Sequence, residues 1–420
     1  MSTLQVTILC LYALVLLVWA TRYLTVSRAW RAMPFLTSQH PPYQEEDPPL
    51  VSVLIPAKDE EVSIGQCLLS VLNQSYLRLE AIIIDDRSQD GTANVVREIA
   101  ARDPRVRLIS TSGLPPGWTG KNHALTTGVR EAKGDWLLFI DSDTRHQVDN
   151  LSILMEYARR EGADLVSLLP RMRNRSFWER VVQPLASIIL MLKFPIEQVN
   201  DDSHPETAFA NGQYILIRRE VYESIGGHAV VRDKFVEDIH LARMTKASGY
   251  RVRVAMAPEI SSTRMYSSLG RLVRGWSRIL YAAYDHSSRR LAAVLAGLVA
   301  FSLSVYGVLA GTLVACWRGH PSSFVSTLFG MCLAHLILQK SVMARAYALS
   351  GNKRRYVAFY AVAGAVMFWV LASALRKCFT HRVVWRGTEY ERLGDATPII
   401  LPLPTPMLSP AVEAPLKRSA

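Results

Sequence analysis

Apolar and polar residues follow two patterns along the chain, and the change between them divides it. From Val51 to about Leu168, short apolar runs alternate with amphipathic segments, whereas long apolar stretches lie near both ends. The first pattern is typical of alternating strands and helices, and the second of segments that cross a membrane. The sequence therefore predicts an α/β domain with an N-terminal membrane anchor and C-terminal transmembrane helices.

The alternating region predicts a doubly wound, mostly parallel sheet. Each short apolar run is typical of a strand buried on both faces, with helices as right-handed crossovers. The predicted strands are Val51–Ala57, Leu79–Ile84, Val106–Ser110, Leu137–Ile140 and Ala163–Leu168. The predicted helices are Ser63–Leu72, Gly91–Ala101, Lys121–Lys133 and Val148–Arg160.

The N-terminal apolar run, Leu4–Ala20, is about the minimum length that spans a bilayer. Positive charges follow the run and none precedes it, the reverse of a cleaved signal peptide. The following charges are Arg22, Arg28 and Arg31. We expect a retained anchor over residues 1–26 with its C-terminal side in the cytoplasm, then a linker over residues 27–49 and a catalytic domain over residues 50–263.

Three apolar stretches make residues 291–378 the predicted transmembrane region. They are Leu291–Trp317, Ser322–Leu338 and Tyr356–Leu375, and the second is near the length limit. Three crossings would place the basic residues around Arg376 outside, against the usual cytoplasmic bias of positive charge. Either Ser322–Leu338 is re-entrant, or residues 339–351 hide part of a span. The tail, residues 379–420, is expected to be disordered from about Thr397.

Two amphipathic stretches flank the end of the α/β region. Phe177–Pro195 is interrupted by prolines and predicts a helix in the membrane interface or a wall of an acceptor pocket. Residues 264–290 carry arginines among large apolar residues, which predicts a basic amphipathic helix on a membrane surface. The alternative is a domain-packing helix with a solvated basic face.

The composition of the chain indicates which classes of partner it binds. The 420 residues carry a net charge of +12, and half of them are hydrophobic. Lys and Arg concentrate beside the apolar stretches, and no nucleic-acid-binding signature is present, so the charge indicates a membrane surface and no nucleic acid. The five cysteines lie far apart without metal-ligand spacing, as expected of reduced thiols: Cys10, Cys67, Cys316, Cys332 and Cys378.

Two carboxylates, Asp141 and Asp143, follow the predicted central strand. Ligands of open α/β sheets bind at this edge. Two hard oxygen ligands one residue apart can share a divalent cation, which would in turn hold a diphosphate. The alternative is a strand end in which Asp143 caps the next helix.

Further polar groups follow other predicted strands. Near Pro56 and Ala57, Glu60 can accept from a sugar or nucleoside hydroxyl, and Asp85 or Asp86 from a base or ribose. For both places the alternative is an acid that stabilises a helix N-terminus.

Three further segments contain residues suited to ligand binding or catalysis. Lys121 follows a Gly-rich turn that can bind a phosphate. Asn211 and Gly212 form a small pair that lets a ligand approach the backbone. Glu237-Asp238 offers a carboxylate poised to take a proton from an alcohol, or else an acid at a helix N-terminus.

Together these segments resemble the inverting family-2 glycosyltransferases of GT-A fold, over about Val51–Trp276. Other stretches are similar to the membrane-bound bacterial branch that includes hopanoid-associated and carotenoid (diaponeurosporenoate-type) glycosyltransferases. The motifs that carry the family resemblance are Val51–Glu61, Asp85–Thr92, Asp141–Thr144, Asn211-Gly212 and Glu237-Asp238. Those that narrow it are Pro115–Lys121, Arg264–Tyr266 and Val384–Tyr390.

The resemblance implies a nucleotide-sugar donor, usually a UDP-sugar, and Mn²⁺ or Mg²⁺. It implies Asp238 as general base beside Glu237, and Asp143 with Asp141 at the metal. The implied donor-binding residues are Pro56, Ala57, Glu60, Asp85, Asp86, Lys121, Asp141, Asn211 and Gly212.

One departure bears on the acceptor. Processive polysaccharide synthases carry Gln-x-x-Arg-Trp, whereas this chain has Arg271, Arg274 and Trp276 with an inserted Gly275. We therefore expect one transfer to a lipid hydroxyl at the cytoplasmic face of the inner membrane, by a multi-pass protein with these three residues at the acceptor. The alternatives are a polyprenyl-phosphate glycosyltransferase, a polysaccharide synthase or, in a different class, a non-catalytic nucleotide-binding scaffold.

Overall fold

The computed structural model describes residues 1–319, 322–385, 388–391 and 399–401. Its strands are β1 (Val51–Ala57), β2 (Leu79–Asp85), β3 (Val106–Ser110), β4 (Trp136–Ile140), β5 (Thr144–His146), β6 (Leu165–Met172), β7 (Tyr214–Arg218), β8 (Val252–Thr263), β9 (Arg382–Trp385), β10 (Thr388–Glu391) and β11 (Ile399–Leu401). The expected disorder of the tail concerns residues that lie almost wholly outside this description.

The helices fall into two groups. Those of the α/β domain are α2 (Ile64–Leu72), α3 (Thr92–Ala100), α4 (Gly120–Glu131), α5 (Asn150–Glu161), α6 (Phe177–Met191), α7 (Ile196–Val199), α8 (Arg219–Ser224), α9 (Gly227–Val230), α10 (Glu237–Ala247) and α11 (Leu269–Ala283). The others are α1 (Thr3–Ala32), α12 (Ser288–Gly297), α13 (Ser304–Trp317), α14 (Ser323–Leu349) and α15 (Tyr360–Thr380). A π-helical segment, Leu298–Leu303, joins α12 to α13, and a 3₁₀ segment, Arg354–Phe359, precedes α15.

The main sheet has eight strands in the order β3-β2-β1-β4-β7-β6-β8-β5. Strands β3, β2, β1 and β4 are parallel, β7 is antiparallel to both neighbours, and β6 is parallel to β8. Because adjacent residues of a strand face opposite sides, Leu137 and Phe139 join one hydrophobic core while Leu138 and Ile140 join the other. Both faces of the sheet are thus covered, and the predicted α/β class is confirmed.

Among the described residues, four apolar helical segments are long enough to cross a membrane: Thr3–Arg28, Ser288–Trp317, Ser323–Leu349 and Arg354–Thr380. The third is one helix of 27 residues, α14. Residues 339–349 therefore extend the helix beyond Ser322–Leu338, the apolar stretch whose length was close to the minimum for a membrane span. The structure favours the hidden part of a span over a re-entrant segment.

The predicted single helix over residues 264–290 is wrong in its bounds. Helix α11 ends at Ala283, and Asp285 and His286 follow with φ of 56° and 59°, a conformation that no right-handed helix contains. The apolar side of α11 is buried against α6 and α15. This burial matches the domain-packing alternative, because the apolar face is already covered by protein.

Helix α6 is fixed at its start by a buried ion pair. Glu179 caps the helix with Ser176, is 1% exposed, and accepts from the Arg264 guanidinium at 3.0 and 3.3 Å. Despite the cost of burial, these hydrogen bonds hold the pKa of Glu179 below its ordinary value. The pair joins α6 to the segment that leads from β8 to α11.

We expect Glu179→Gln to lower the free energy of unfolding by about 3 kcal/mol, the lower end for a broken buried pair, because Arg264 stays partly hydrated. Thermal unfolding in detergent measures this. Glu223→Gln, which removes an exposed partner of Arg219, is the matched control and should leave the midpoint unchanged. Equal midpoints for both variants would contradict the assignment.

Candidate active site

One cavity of about 1010 Å³ lies at the C-terminal edge of the parallel strands. It is lined by all the predicted site residues except Asp85. These are Pro56, Ala57, Glu60, Asp86, Lys121, Asp141, Asp143, Asn211, Gly212, Glu237, Asp238, Arg271, Arg274 and Trp276.

Strand register explains why residues so far apart in sequence meet there. Ala57 at the end of β1 pairs with Asp85 at the end of β2, so the residues after both strands emerge side by side. Ile140 at the end of β4 pairs with Tyr214 at the start of β7. Because β7 runs the opposite way, the loop before it reaches the edge that the parallel strands reach with their last residues.

Asp85 is not among the residues that line the cavity, and its contact with the nucleoside stays a prediction. The residue ends β2, is 7% exposed, and its Oδ1 accepts from the backbone N–H of Ser88 at 3.3 Å. Its carboxylate holds the turn after the strand. The next residue along an extended backbone points the other way, which is why Asp86 faces the cavity instead.

Asp86 is held by its own neighbours. The Arg87 guanidinium donates to both its oxygens, at 2.8 and 3.1 Å, and the Thr111 hydroxyl donates to Oδ1 at 3.1 Å. Arg87 reaches back because its φ is 59°. The carboxylate also lies so close to Gly120 that a Cβ there would overlap it. A fixed acid thus lies at the N-terminus of α4.

Lys121 lies between two carboxylates. Its Nζ is 2.8 Å from Asp141 Oδ1 and 2.8 Å from Glu237 Oε1. Burial lowers the pKa of Lys121, but the two carboxylates more than offset it and raise the pKa above its ordinary value. The ammonium therefore joins the end of β4 to the start of α10 within the cavity.

Asp238 lies at the start of α10 with hydrogen bonds that fix its orientation. Its Oδ2 accepts from the Gly212 backbone N–H at 2.7 Å, and its Oδ1 from the Ile239 N–H at 2.8 Å. Burial, together with the neighbouring Glu237 carboxylate, raises the pKa of Asp238 to about 7. A carboxylate with a pKa near neutrality, oriented into a cavity, is suited to general-base chemistry.

Gly212 leaves space for the Asp238 carboxylate. A Cβ at this position would lie 3.0 Å from Asp238 Oδ2 and 3.1 Å from Lys121 Nζ. We expect Gly212→Ala to shift the carboxylate by a few tenths of an ångström and lower kcat about 10-fold. Gly113→Ala is the matched control, since a Cβ there meets nothing within 4 Å. Equal turnover of the two variants, measured on the donor and acceptor used for the wild type, would show that this backbone contact does not matter.

The predicted metal ligands are compatible with a cation that binds together with the donor. Asp143 Oδ1 accepts from the Thr263 hydroxyl at 3.1 Å, and Asp141 faces the same cavity. Within the described residues, no three His, Cys, Asp or Glu side chains form a group that could hold a metal. Mg²⁺ in particular is commonly held by one or two carboxylates with substrate phosphates and water, and Mn²⁺ prefers the same oxygen ligands, so this donor set fits.

Part of the cavity is lined by apolar side chains. Its walls include Ile188 and Met191 of α6, Val26 of α1, and Val342 and Ala346 of α14. Two of these helices, α1 and α14, are long and apolar enough to cross a membrane. The same cavity therefore extends from the carboxylates to the candidate membrane spans.

Helix α11 contributes the predicted acceptor residues. Arg271 and Arg274 are exposed and line the cavity, and Trp276 is 2% exposed with an indole N–H that has no hydrogen-bond partner among the described residues. The inserted Gly275 has a structural reason: a Cβ there would overlap the Tyr266 ring. That ring also lines the cavity.

The sequence analysis did not identify Lys58, Thr388 and Tyr390 as site residues, although all three line the cavity. Thr388 and Tyr390 belong to the segment Val384–Tyr390, whose sequence indicated only the branch of the family that the chain resembles. Its Arg386 and Gly387 lie outside the described residues. Proximity to residue 120 has no local signal in the sequence, because the contact joins positions 270 residues apart.

Comparisons with known proteins find similarity to glycosyltransferases. Residues 52–226 match the family described as Glycosyl transferase family 2. An uncharacterized glycosyltransferase of Haemophilus influenzae is 39% identical over 95 residues, which cover 23% of this chain and 36% of that protein. A 4,4'-diaponeurosporenoate glycosyltransferase of Staphylococcus aureus is 27% identical over 271 residues, which cover 63% of this chain and 68% of that one.

A solved structure supports the fold. The mannosyltransferase PcManGT from Pyrobaculum calidifontis, in complex with GDP-Man and Mn²⁺, superimposes with a TM-score of 0.51 at 20% identity. The match covers 90% of this chain and 99% of that one. At this identity the likeness concerns the fold.

Proposed function

We propose that the chain is a glycosyltransferase that transfers a sugar from a nucleotide-sugar donor to a lipid hydroxyl at a membrane surface. Its residues 52–226 match the family described as Glycosyl transferase family 2. The observation that carries this proposal is that polar and apolar residues line one continuous cavity. Its polar end holds Asp86, Lys121, Asp143 and Asp238, and its apolar end is walled by helices that can cross a membrane. Such a cavity suits two substrates of opposite character.

The reaction proposed is a one-step inverting transfer. Asp238 takes the proton of the acceptor hydroxyl while that oxygen attacks the anomeric carbon and the nucleoside diphosphate leaves. An oxocarbenium-like transition state is expected at the sugar. The Gly212 N–H orients the Asp238 carboxylate. The adjacent Glu237 carboxylate forms an ion pair with Lys121.

A divalent cation would complete the donor site. Asp143, with Asp141 beside it, would hold Mn²⁺ or Mg²⁺, which supplies charge stabilisation for the departing diphosphate when bound. The PcManGT complex contains a sugar nucleotide and Mn²⁺, which supports this part of the proposal for the present chain. We place the catalytic domain in the cytoplasm, where nucleotide sugars are made, on the inner face of the cell membrane.

A second candidate is transfer to an anionic lipid such as a polyprenyl phosphate. Arg271 and Arg274 favour it, because they lie one helical turn apart on α11 at the cavity and form no ion pair within the described part of the chain. An anionic acceptor needs no base. The two candidates therefore differ in whether Asp238 is required.

Purified protein incubated with membrane lipid and a panel of nucleotide sugars, with and without chelator, tests the proposal. We expect one lipid to gain the mass of a sugar only when the cation is present, as detected by mass spectrometry. Transfer to a phosphate-bearing lipid alone would favour the second candidate. Absence of any product with every donor would contradict both.

A further inference from the structure

We propose that the hairpin after the last helix, formed by β9 and β10, completes the donor site and that the Tyr390 hydroxyl contacts the donor diphosphate. This inference rests on the proposed function, since it concerns the same donor. It has a second part: α15 does not cross the membrane, because the chain returns to the catalytic domain after it.

Three contacts join the hairpin to the donor end of the cavity. The Gly120 N–H, at the start of α4, donates to the Tyr390 hydroxyl at 3.3 Å. The Tyr390 ring meets the Phe235 ring edge-on with centroids 5.2 Å apart, and Lys58 Nζ donates to the Thr388 hydroxyl at 3.5 Å. Tyr390 is 2% exposed, so the hairpin is packed against the domain.

The Tyr390 hydroxyl is hydrogen-bonded at the start of α4 and carries a proton that it can donate to a ligand. The phenol oxygen accepts from Gly120, and a further hydrogen bond links it to the Thr388 side chain. Burial raises the pKa of Tyr390, despite those two hydrogen bonds, so the phenol keeps its proton at neutral pH. A phenol that accepts from a helix N-terminus can donate to a phosphate oxygen bound there.

The chain on both sides of α15 contacts the catalytic domain. Before it, Asn352 accepts from Asn174 at 3.1 Å and the Tyr356 hydroxyl accepts from Arg180 at 2.9 Å. After it, Tyr390 contacts Gly120. A segment that leaves and returns on one side of the membrane makes no net crossing.

Burial within the protein agrees with this topology. In each candidate span, an 18-residue apolar segment can be compared for its burial by other parts of the chain. Half of this segment is buried in α15, compared with 11% in α1, 17% in α12–α13 and 33% in α14. Helix α15 packs along α6, α11 and α12. The crossings are thus α1, α12–α13 and α14. The basic residues of the last turn and beyond, Arg376, Lys377 and Arg382, then lie on the catalytic side, as the positive-inside bias requires.

The binding of UDP and of GDP with Mn²⁺, measured by calorimetry on the full chain in detergent, tests the first part without an acceptor. Tyr390→Phe keeps the ring and removes the hydroxyl. We expect it to lower the affinity for whichever nucleotide binds the wild type more tightly by about 10-fold. Tyr250→Phe is the matched control, because its hydroxyl contacts Ser224 away from the cavity, and should bind as the wild type does.

The outcomes separate the inference from the proposed function. Unchanged nucleotide binding in Tyr390→Phe, with transfer activity intact, would overturn the contact and leave the function standing. Wild-type protein that binds neither nucleotide would overturn both.

Labelling with a membrane-impermeant maleimide in oriented vesicles tests the second part, in a cysteine-free background. We expect His381→Cys to react from the same side as Glu206→Cys in the catalytic domain, and Arg318→Cys, between α13 and α14, from the other. Reaction of residue 381 from the side of residue 318 would show that α15 crosses.

Discussion

Replacement of Asp238 by Asn is expected to lower kcat about 10²- to 10⁴-fold, the usual contribution of a general base. The amide keeps the shape of the side chain and can still accept from the Gly212 N–H, so donor binding should change little. Rates under saturating donor and acceptor measure the loss. Asp233→Asn, a carboxylate outside the cavity that pairs with Lys234, is the matched control.

The pH profile gives an independent test of the same residue. The pKa of Asp238 is raised to about 7, and the protonated carboxyl cannot accept a proton. The rate of the wild type should therefore fall as the pH decreases through about 7 and level off above it, and the Asn variant should lack this acidic limb. Near-normal turnover of Asp238→Asn would refute the base assignment and support an acceptor that is already anionic.

Replacement of Asp143 by Asn should lower kcat about 100-fold or more and raise the Mn²⁺ concentration needed for activity, because a neutral amide is a much weaker ligand of a hard cation. Activity titrated with Mn²⁺, alongside Mn²⁺ binding in the presence of UDP, measures both effects. Asp149→Asn serves as control, since this exposed carboxylate makes no side-chain cap on α5. If the wild type stays active in the presence of a chelator, the assignment of a cation to this site is wrong.

Much of the α/β domain could be predicted because its signals are local. The bounds of β1 and β3 match the sequence pattern, and β4 begins one residue earlier than the predicted Leu137, at Trp136. The long strand β8 was not predicted. It is paired with β6 by contacts between residues about 90 positions apart, and such pairing leaves no periodic mark of its own.

The convergence of the acids could also be predicted, since parallel strands end at one edge of the sheet. Their individual partners could not. That Lys121 would lie between Asp141 and Glu237 depends on where α10 starts relative to α4, and this follows from packing across the whole domain. That Asp86 and not Asp85 lines the cavity has a simpler origin, because adjacent residues of an extended backbone point to opposite sides.

The position of Lys121 has a consequence for the order of events. Asp141 and Glu237 contact its ammonium group, and Asp143 lines the same cavity. Next to Lys121 the carboxylates outnumber the ammonium group, so they would repel a bare nucleotide polyphosphate, whereas the same nucleotide already complexed with a dication arrives largely neutralised. For the proposed function we therefore expect the sugar donor to bind as a metal chelate and free nucleotide to be a poor competitor.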